Sequence, residues 1–208
     1  MHLTRAGCLI LLVLFNWPSM ALAHNPLAGD ESGRWASGVA AAALCGFGCL
    51  YLLGSRVRPP GRLHAFGFHT TFLLAAVTLF GPLDDWAETS TAAHMVQHML
   101  LMVVIAPLWV LSRPLPQLMS ALRGHGAFFC RPLLVLTQRP DVAAYLHGVV
   151  IWFWHTPYFY TLAVEQPWWH VIEHACFLLT AGLFWWSVLR SSGRRRPWAL
   201  LALLFTLM

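Results

Sequence analysis

The stretch His94-Met95-Val96-Gln97-His98-Met99-Leu100-Leu101-Met102-Val103-Val104-Ile105-Ala106-Pro107-Leu108 decides the fold. It opens with two histidines four residues apart and then runs on without a charge, which joins a polar stripe to a length of apolar chain. Read as 92–112, it is long enough to cross a bilayer as a helix. Four more stretches share that character, at about 35–54, 63–83, 142–160 and 168–189, and a sixth begins at Pro197 and is cut off at Met208. Composition agrees: 208 residues are 58% hydrophobic and 10% charged, with mean hydropathy +0.62. Thirteen basic and eight acidic side chains are too few to cover a soluble domain of this size. The expected fold is therefore all-α, a polytopic transmembrane helical bundle with at least five spans plus a truncated sixth.

Residues 1–23 have the anatomy of a secretory signal peptide. Arg5 precedes an apolar run from Ala6 to Phe15, which falls short of a span, and Ala21-Leu22-Ala23 forms a small-residue cleavage site. Cleavage there makes His24 the mature N-terminus and leaves 24–208 as one transmembrane domain, incomplete at its C-terminal end. Orientation follows from arginine, since the chain contains no lysine. Arg56, Arg58 and Arg62 follow the first span, Arg113, Arg123, Arg131 and Arg139 follow the third, and Arg190, Arg194, Arg195 and Arg196 follow the fifth. The positive-inside rule places those loops in the cytoplasm, and the signal peptide independently places the mature N-terminus outside. Asp84, Asp85, Glu88 and Glu165 fall in the opposite loops, with Trp86, Trp168 and Trp169 in an outer interfacial belt. The pI near 9.3 does not signal nucleic acid, because the basic residues form no patch on a polar domain. The segment 113–140 mixes Leu115, Leu118, Met119, Leu122, Phe128 and Phe129 with arginines, as a stretch lying on the inner membrane surface does.

Topology sorts the eleven histidines. His94 and His98 start the third span from the outside, His155 lies near the outer end of the fourth, and His170 and His174 start the fifth. Residues four apart share a helix face, so each pair points one way. Imidazoles at membrane depth face the bundle interior or a partner, so two pairs and a fifth histidine from three helices can meet at one depth. That pattern points to a metal or haem site. Neutral imidazole suits copper, zinc, iron and nickel, and divalent affinity peaks at copper. Met95, Met99 and Met102 form a second stripe on the third span and Cys176 follows the last pair; soft sulfur donors favour Cu(I), although methionine is also a routine core filler. Cys45 and Cys49, within Cys45-Gly46-Phe47-Gly48-Cys49, read first as close helix packing through small residues. His69 and His147 lie off the outer layer and read as internal hydrogen bonders.

Three other readings arise from the same residues. His170-Val171-Ile172-Glu173-His174 matches the H-x-x-E-H inverted zinc-protease motif. That chemistry wants a further acidic ligand downstream, and residues 175–208 contain no Asp or Glu. Glu173 is more economically a group that orients the ligands or balances a bound cation. A haem-binding electron-transfer protein needs axial histidines on different helices, which explains two of the five and leaves three over. A copper transporter or tolerance protein would use His69, His147, Cys45 and Cys49 as lower steps of a path.

The run from His94 to Leu101 followed by Ala106-Pro107-Leu108 resembles the CtaG-type cytochrome c oxidase assembly proteins. So does Trp152-Phe153-Trp154-His155-Thr156-Pro157, continuing through Tyr160 and Ala163 to the His170–His174 motif and Phe184-Trp185-Trp186. The resemblance spans roughly 60–205. It implies a multi-pass protein of the bacterial inner membrane, not an enzyme, that helps copper reach a haem-copper oxidase. The implied metal residues are His94, His98, His155, His170, Glu173 and His174. Membrane lipid and either oxidase subunits or a periplasmic copper carrier are the implied partners. Family members continue through further helices with a polar Asp-Gln motif that this sequence lacks.

Overall fold

The computed structural model describes residues 31–123 and 135–191, with Pro197 and Ala199; among them every regular element is helical. The elements are α1 (Glu31–Val57), α2 (Arg62–Phe80), α3 (Pro82–Thr89), α4 (Thr91–Met99), a π-helical segment (Leu100–Ile105), α5 (Ala106–Ser112), α6 (Leu115–Ala121), α7 (Pro140–Trp154), α8 (Pro157–Glu165) and α9 (Pro167–Leu189). Four helical runs are long and apolar enough to cross a membrane: Glu31–Val57, Arg62–Thr89, Thr91–Ser112 and Pro167–Leu189. The signal peptide, His24, the sixth span and most of the arginine loop after α9 lie outside the described residues.

The fourth expected span, 142–160, is two helices rather than one. Pro157 cannot donate to the carbonyl of Phe153, and the residue before a proline is driven out of the helical region. Thr156 accordingly sits at φ −69, ψ 146. Its hydroxyl donates to the Phe153 carbonyl at 2.8 Å, so the break leaves that oxygen paired.

The third span is unbroken but not uniform. Pro107 cannot donate to Val103, and the chain passes through the π-helical turn, in which the Ala106 amide reaches back to the Leu101 carbonyl. In that register the next carbonyl, Met102, would pair with the amide that Pro107 lacks. The indole of Trp185, on α9, donates to it at 2.8 Å instead. The same solution appears at Pro82, whose missing amide frees the Thr78 carbonyl: Gln97 Nε2 donates to that oxygen at 2.9 Å.

Helix α9 is central, packed against α1, α5, α7, α8 and the π-helical segment. Met102, Ala106, Trp154, Ala163, Phe177 and Ala181 form one core cluster between these helices. A second cluster joins Tyr51, Phe68 and Leu118, with the Tyr51 and Phe68 rings stacked at 3.5 Å. Leu118 belongs to α6, so the first part of the 113–140 segment packs an apolar side against the bundle. Gln117 Nε2 ties α6 to the Arg58 carbonyl at 3.1 Å, and residues 124–134 lie outside the described set. The glycine segment of α1 packs only in part: Gly48 meets the Phe72 ring, whereas nothing stands within 4 Å of a Cβ at Gly46. Cys45 is half-buried and Cys49 exposed, both as free thiols.

The contact that holds α6 on α1 runs through Gly54, where a Cβ would overlap the Gln117 carbonyl. Gly54→Ala is expected to lower stability by about 1–3 kcal/mol, the usual cost of overpacking. Gly46→Ala is expected to be neutral or stabilising, because it adds a helix former in open space. Thermal unfolding of both variants in detergent checks the pair.

Candidate metal centre

Two helices supply the centre. Ser90 caps α4, its hydroxyl accepting from the Ala93 amide, and sets the helix phase so that His94, Gln97 and His98 are buried on one face. Helix α9 starts at Pro167 and presents His170, Glu173 and His174 opposite them. The ring centres of His94 and His98 are 4.2 Å apart, and those of His170 and His174 also 4.2 Å. Across the interface His94 stacks on His170 at 5.2 Å and His98 meets His174 edge-on at 5.1 Å. The carboxylate Oε2 of Glu173 lies 3.6 Å from His98 Nε2 and 4.0 Å from His94 Nε2.

One ligand atom each from His94, His98, His170 and Glu173 falls within 4.8 Å of the others. Four donors around an ion held at about 2.0–2.2 Å stand roughly 3–4 Å apart. Small side-chain rotations therefore close this set onto a cation. His174 adjoins the set without belonging to it. His155 stands at the rim, exposed, with its ring 6.2 Å from that of His98. Its Nδ1 donates to the Ile151 carbonyl at 2.8 Å, which leaves the Nε2 lone pair free in the neutral ring. Tyr160 of α8 lies edge-on to His94 at 6.2 Å, and Phe177 edge-on to His98 at 4.8 Å, as an apolar floor.

The polar atoms of this cluster have no partners. His94 Nε2, both nitrogens of His98, His170 Nε2, His174 Nε2 and Glu173 Oε2 are buried without a hydrogen bond. Leaving one such group unpaired costs about 1–3 kcal/mol, and native interiors hold few of them. His94, His98, His170 and Glu173 each contribute at least one of these atoms and also make up the four-atom group, which is a possible cation site. Glu173 is only 1% exposed, so its carboxylate is the charge nearest any ion held there.

The structure separates the remaining candidates. Met99 points outward and is 54% exposed, and Met102 sits in the core cluster under Trp154 and Phe177. Cys176 packs against that same cluster. Among the described residues no cysteine joins the four-atom group; Met95 is half-buried on α4. His147 is a hydrogen bonder: Nδ1 lies 2.9 Å from the Thr180 hydroxyl, while that hydroxyl donates to the Cys176 carbonyl at 2.8 Å. His69 packs its ring edge-on against Tyr51 at 5.9 Å. Gln97 carries a role the histidine pattern hides. It is fully buried between the two α4 histidines, and its amide nitrogen donates both to the Thr78 carbonyl and to Asp84 at 2.7 Å. Its position one residue before His98 is the only sequence signal it gives.

A comparison with known families returns the model described as cytochrome c oxidase caa3 assembly factor (Caa3_CtaG), which matches residues 47–208. No curated protein and no solved structure matches the chain.

An unpartnered buried carboxylate lowers the stability of the metal-free protein. Glu173→Met, which fills the same space without polar atoms, is expected to raise the unfolding temperature of metal-free protein while weakening metal binding. Differential scanning of the two proteins after chelator treatment, followed by a metal titration, checks both halves.

Proposed function

Since the chain belongs to the Caa3_CtaG family of cytochrome c oxidase caa3 assembly factors, we propose that its buried histidine–glutamate cluster takes up a copper ion and hands it toward the oxidase. The observation that carries this reading is the gathering of four ligand atoms from two helices within 4.8 Å of one another, in a cluster whose buried polar atoms lack hydrogen bonds. His94, His98, His170 and Glu173 hold the ion, with His174 beside them and His155 at the rim. Imidazole donors place copper at the top of the divalent affinity order. The single carboxylate balances the one positive charge of Cu(I), which leaves the loaded site neutral in a medium where net charge is costly.

The protein is a carrier and not an enzyme in this reading. A zinc hydrolase of the H-x-x-E-H type needs both histidines on one ion, whereas the four-atom group includes His170 and Glu173 but not His174. A haem needs an open plane between two facing imidazoles. Four donors within 4.8 Å leave no such plane. For transmembrane flux the lower steps are poor: His147 is engaged by Thr180, and Cys49 faces outward from α1.

The copper is received and released at the extracytoplasmic face of the bacterial inner membrane. Arginine at the opposite loops and the signal peptide 1–23 support that orientation, with 24–208 as the membrane domain. Exposed Trp86, Trp168 and Trp169 at the histidine end suit an interfacial belt. The partners are membrane lipid, oxidase subunits and a copper carrier on the same side.

Elemental analysis and an optical spectrum of the detergent-purified protein, beside a His98→Ala/His174→Ala double variant, test this directly. The expected result is copper in the parent that is lost by more than tenfold in the variant, together with reduced copper and activity in the oxidase of cells carrying the variant. A haem Soret band, zinc without copper, or unchanged oxidase copper content would overturn it.

A further inference from the structure

From the two free nitrogens of His98 we infer that the centre holds one ion in two alternative positions, a deep one and a second one at the rim, with the His98 ring shared between them. The inference rests on the copper reading above and concerns how the ion enters and leaves.

His98 is the middle of the cluster. Its ring is 4.2 Å from His94, 5.1 Å from His174 and 6.2 Å from His155. Its Nε2 belongs to the deep side, 3.6 Å from the Glu173 carboxylate. Nδ1 leaves the same ring in a widely divergent direction, and it too is buried without a partner. A histidine that served only one position would have its second nitrogen donated to a carbonyl or carboxylate, as ligating histidines ordinarily do. His155 shows that ordinary arrangement, and His98 does not.

The flanking rings complete a second donor set. An ion bound to imidazole stands about 3 Å from the ring centre, so two rings that share one lie about 5–6 Å apart. His98–His174 meets that spacing at 5.1 Å, and His98–His155, at 6.2 Å, lies just beyond it and would close with a small ring rotation. His174 Nε2 is buried and unpartnered, and His155 is held by Ile151 with Nε2 free and the residue exposed. The rim position is therefore made of His98 and His155, with His174 beside His98, and opens outward, whereas the deep one adds the carboxylate and is closed.

A neutral imidazole has one lone pair, so His98 binds one ion at a time, through Nδ1 at the rim or Nε2 at depth. The ring remains neutral in the exchange, because the proton displaced from one nitrogen is replaced on the other. An arriving ion meets His155 first, shares His98, and then exchanges the rim imidazoles for His94, His170 and Glu173. Release reverses the order by ligand substitution, with no change in oxidation state.

The test uses the full chain in detergent under anaerobic, reducing conditions, with Cu(I) supplied as its complex with a chromogenic chelator and loading followed by stopped flow. The parent is expected to bind one Cu(I). His155→Ala is expected to slow loading and unloading at least tenfold, a larger effect than its loss of affinity. Glu173→Gln and His94→Ala are expected to weaken affinity at least a hundredfold while fast capture of one ion persists at the rim. Unfolding temperature and gel-filtration profile identify any variant that fails to fold, and the exposed His155 keeps the decisive variant clear of the core. Loading of His155→Ala at the parental rate, or two Cu(I) bound together by the parent, overturns the two-position arrangement while leaving copper binding intact. A parent that binds no Cu(I) overturns both.

Discussion

Hydrocarbon offers no donors or acceptors, so each backbone group that a membrane helix frees must find its partner inside the protein. The bundle is arranged around that constraint. Three prolines interrupt helices close to the histidine cluster, and each frees a carbonyl: Pro82 that of Thr78, Pro107 that of Met102, Pro157 that of Phe153. Each carbonyl is met by a side-chain donor, Gln97, Trp185 and Thr156 respectively. These donors lie on or beside the elements that bear the histidines. Gln97 is in the α4 pair, Trp185 is on α9, and Thr156 is next to His155. The bonds that repair the helices also fix their positions around the cluster.

Against that background of repaired backbone, the orphaned side chains of the cluster have a different meaning. Outside the cluster, Tyr51 Oη, Gln97 Oε1, Trp109 Nε1 and Gln117 Oε1 are also buried without a partner, one atom to a residue. Yet Glu173 Oε2 and five histidine nitrogens remain unpartnered a few ångströms apart. Partners were within reach of mutation: a serine or a threonine on α8 or α9 would satisfy several of them, as Thr180 satisfies His147. The unpaired state persists where a cation would use the lone pairs. A cation held there would offset the penalty of the unpaired groups, and the donors would need little reorganisation to receive it.

Much of this centre was legible in the sequence, and the reasons for what was not are specific. Pairs at i and i+4 fix a face, and shared depth on three helices fixes a layer, so the meeting of His94, His98, His170 and His174 follows from spacing. Distances between helices do not, which is why spacing alone leaves Glu173 as an orienting or charge-balancing group, and the structure is needed to bring its carboxylate to 3.6 Å from His98 Nε2. Pro157 was visible, but a proline in an apolar run reads equally as a kink or a break, and the expected 142–160 span hid the latter. The methionine stripe is divided by phase. Met99 follows His98 by one residue, about a hundred degrees around the helix, and the π-helical turn that starts at Leu100 carries Met102 into the core. The packing of Leu118 against the bundle is not visible in sequence because amphipathic loops and docked short helices share a composition; Gly54, which admits α6, lies some sixty residues away.

The absence of a thiolate from the four-atom group bears on the copper handling proposed for the centre. Thiolate ligands would hold Cu(I) tightly and resist its transfer. Imidazoles are neutral, exchange readily, and here exceed what one ion requires. A carrier needs an ion to be favourable to take and easy to surrender, and surplus equivalent ligands meet both needs, since each ligand that lets go is replaced by another before the ion is bare. The carboxylate sets the depth of the well. Glu173 is the one anionic donor in the four-atom group, it is buried, and it faces the α4 histidines from the closed side. In the proposed carrier an ion drawn toward it would be neutralised and excluded from water, and one drawn away toward His155 would regain access to the surface.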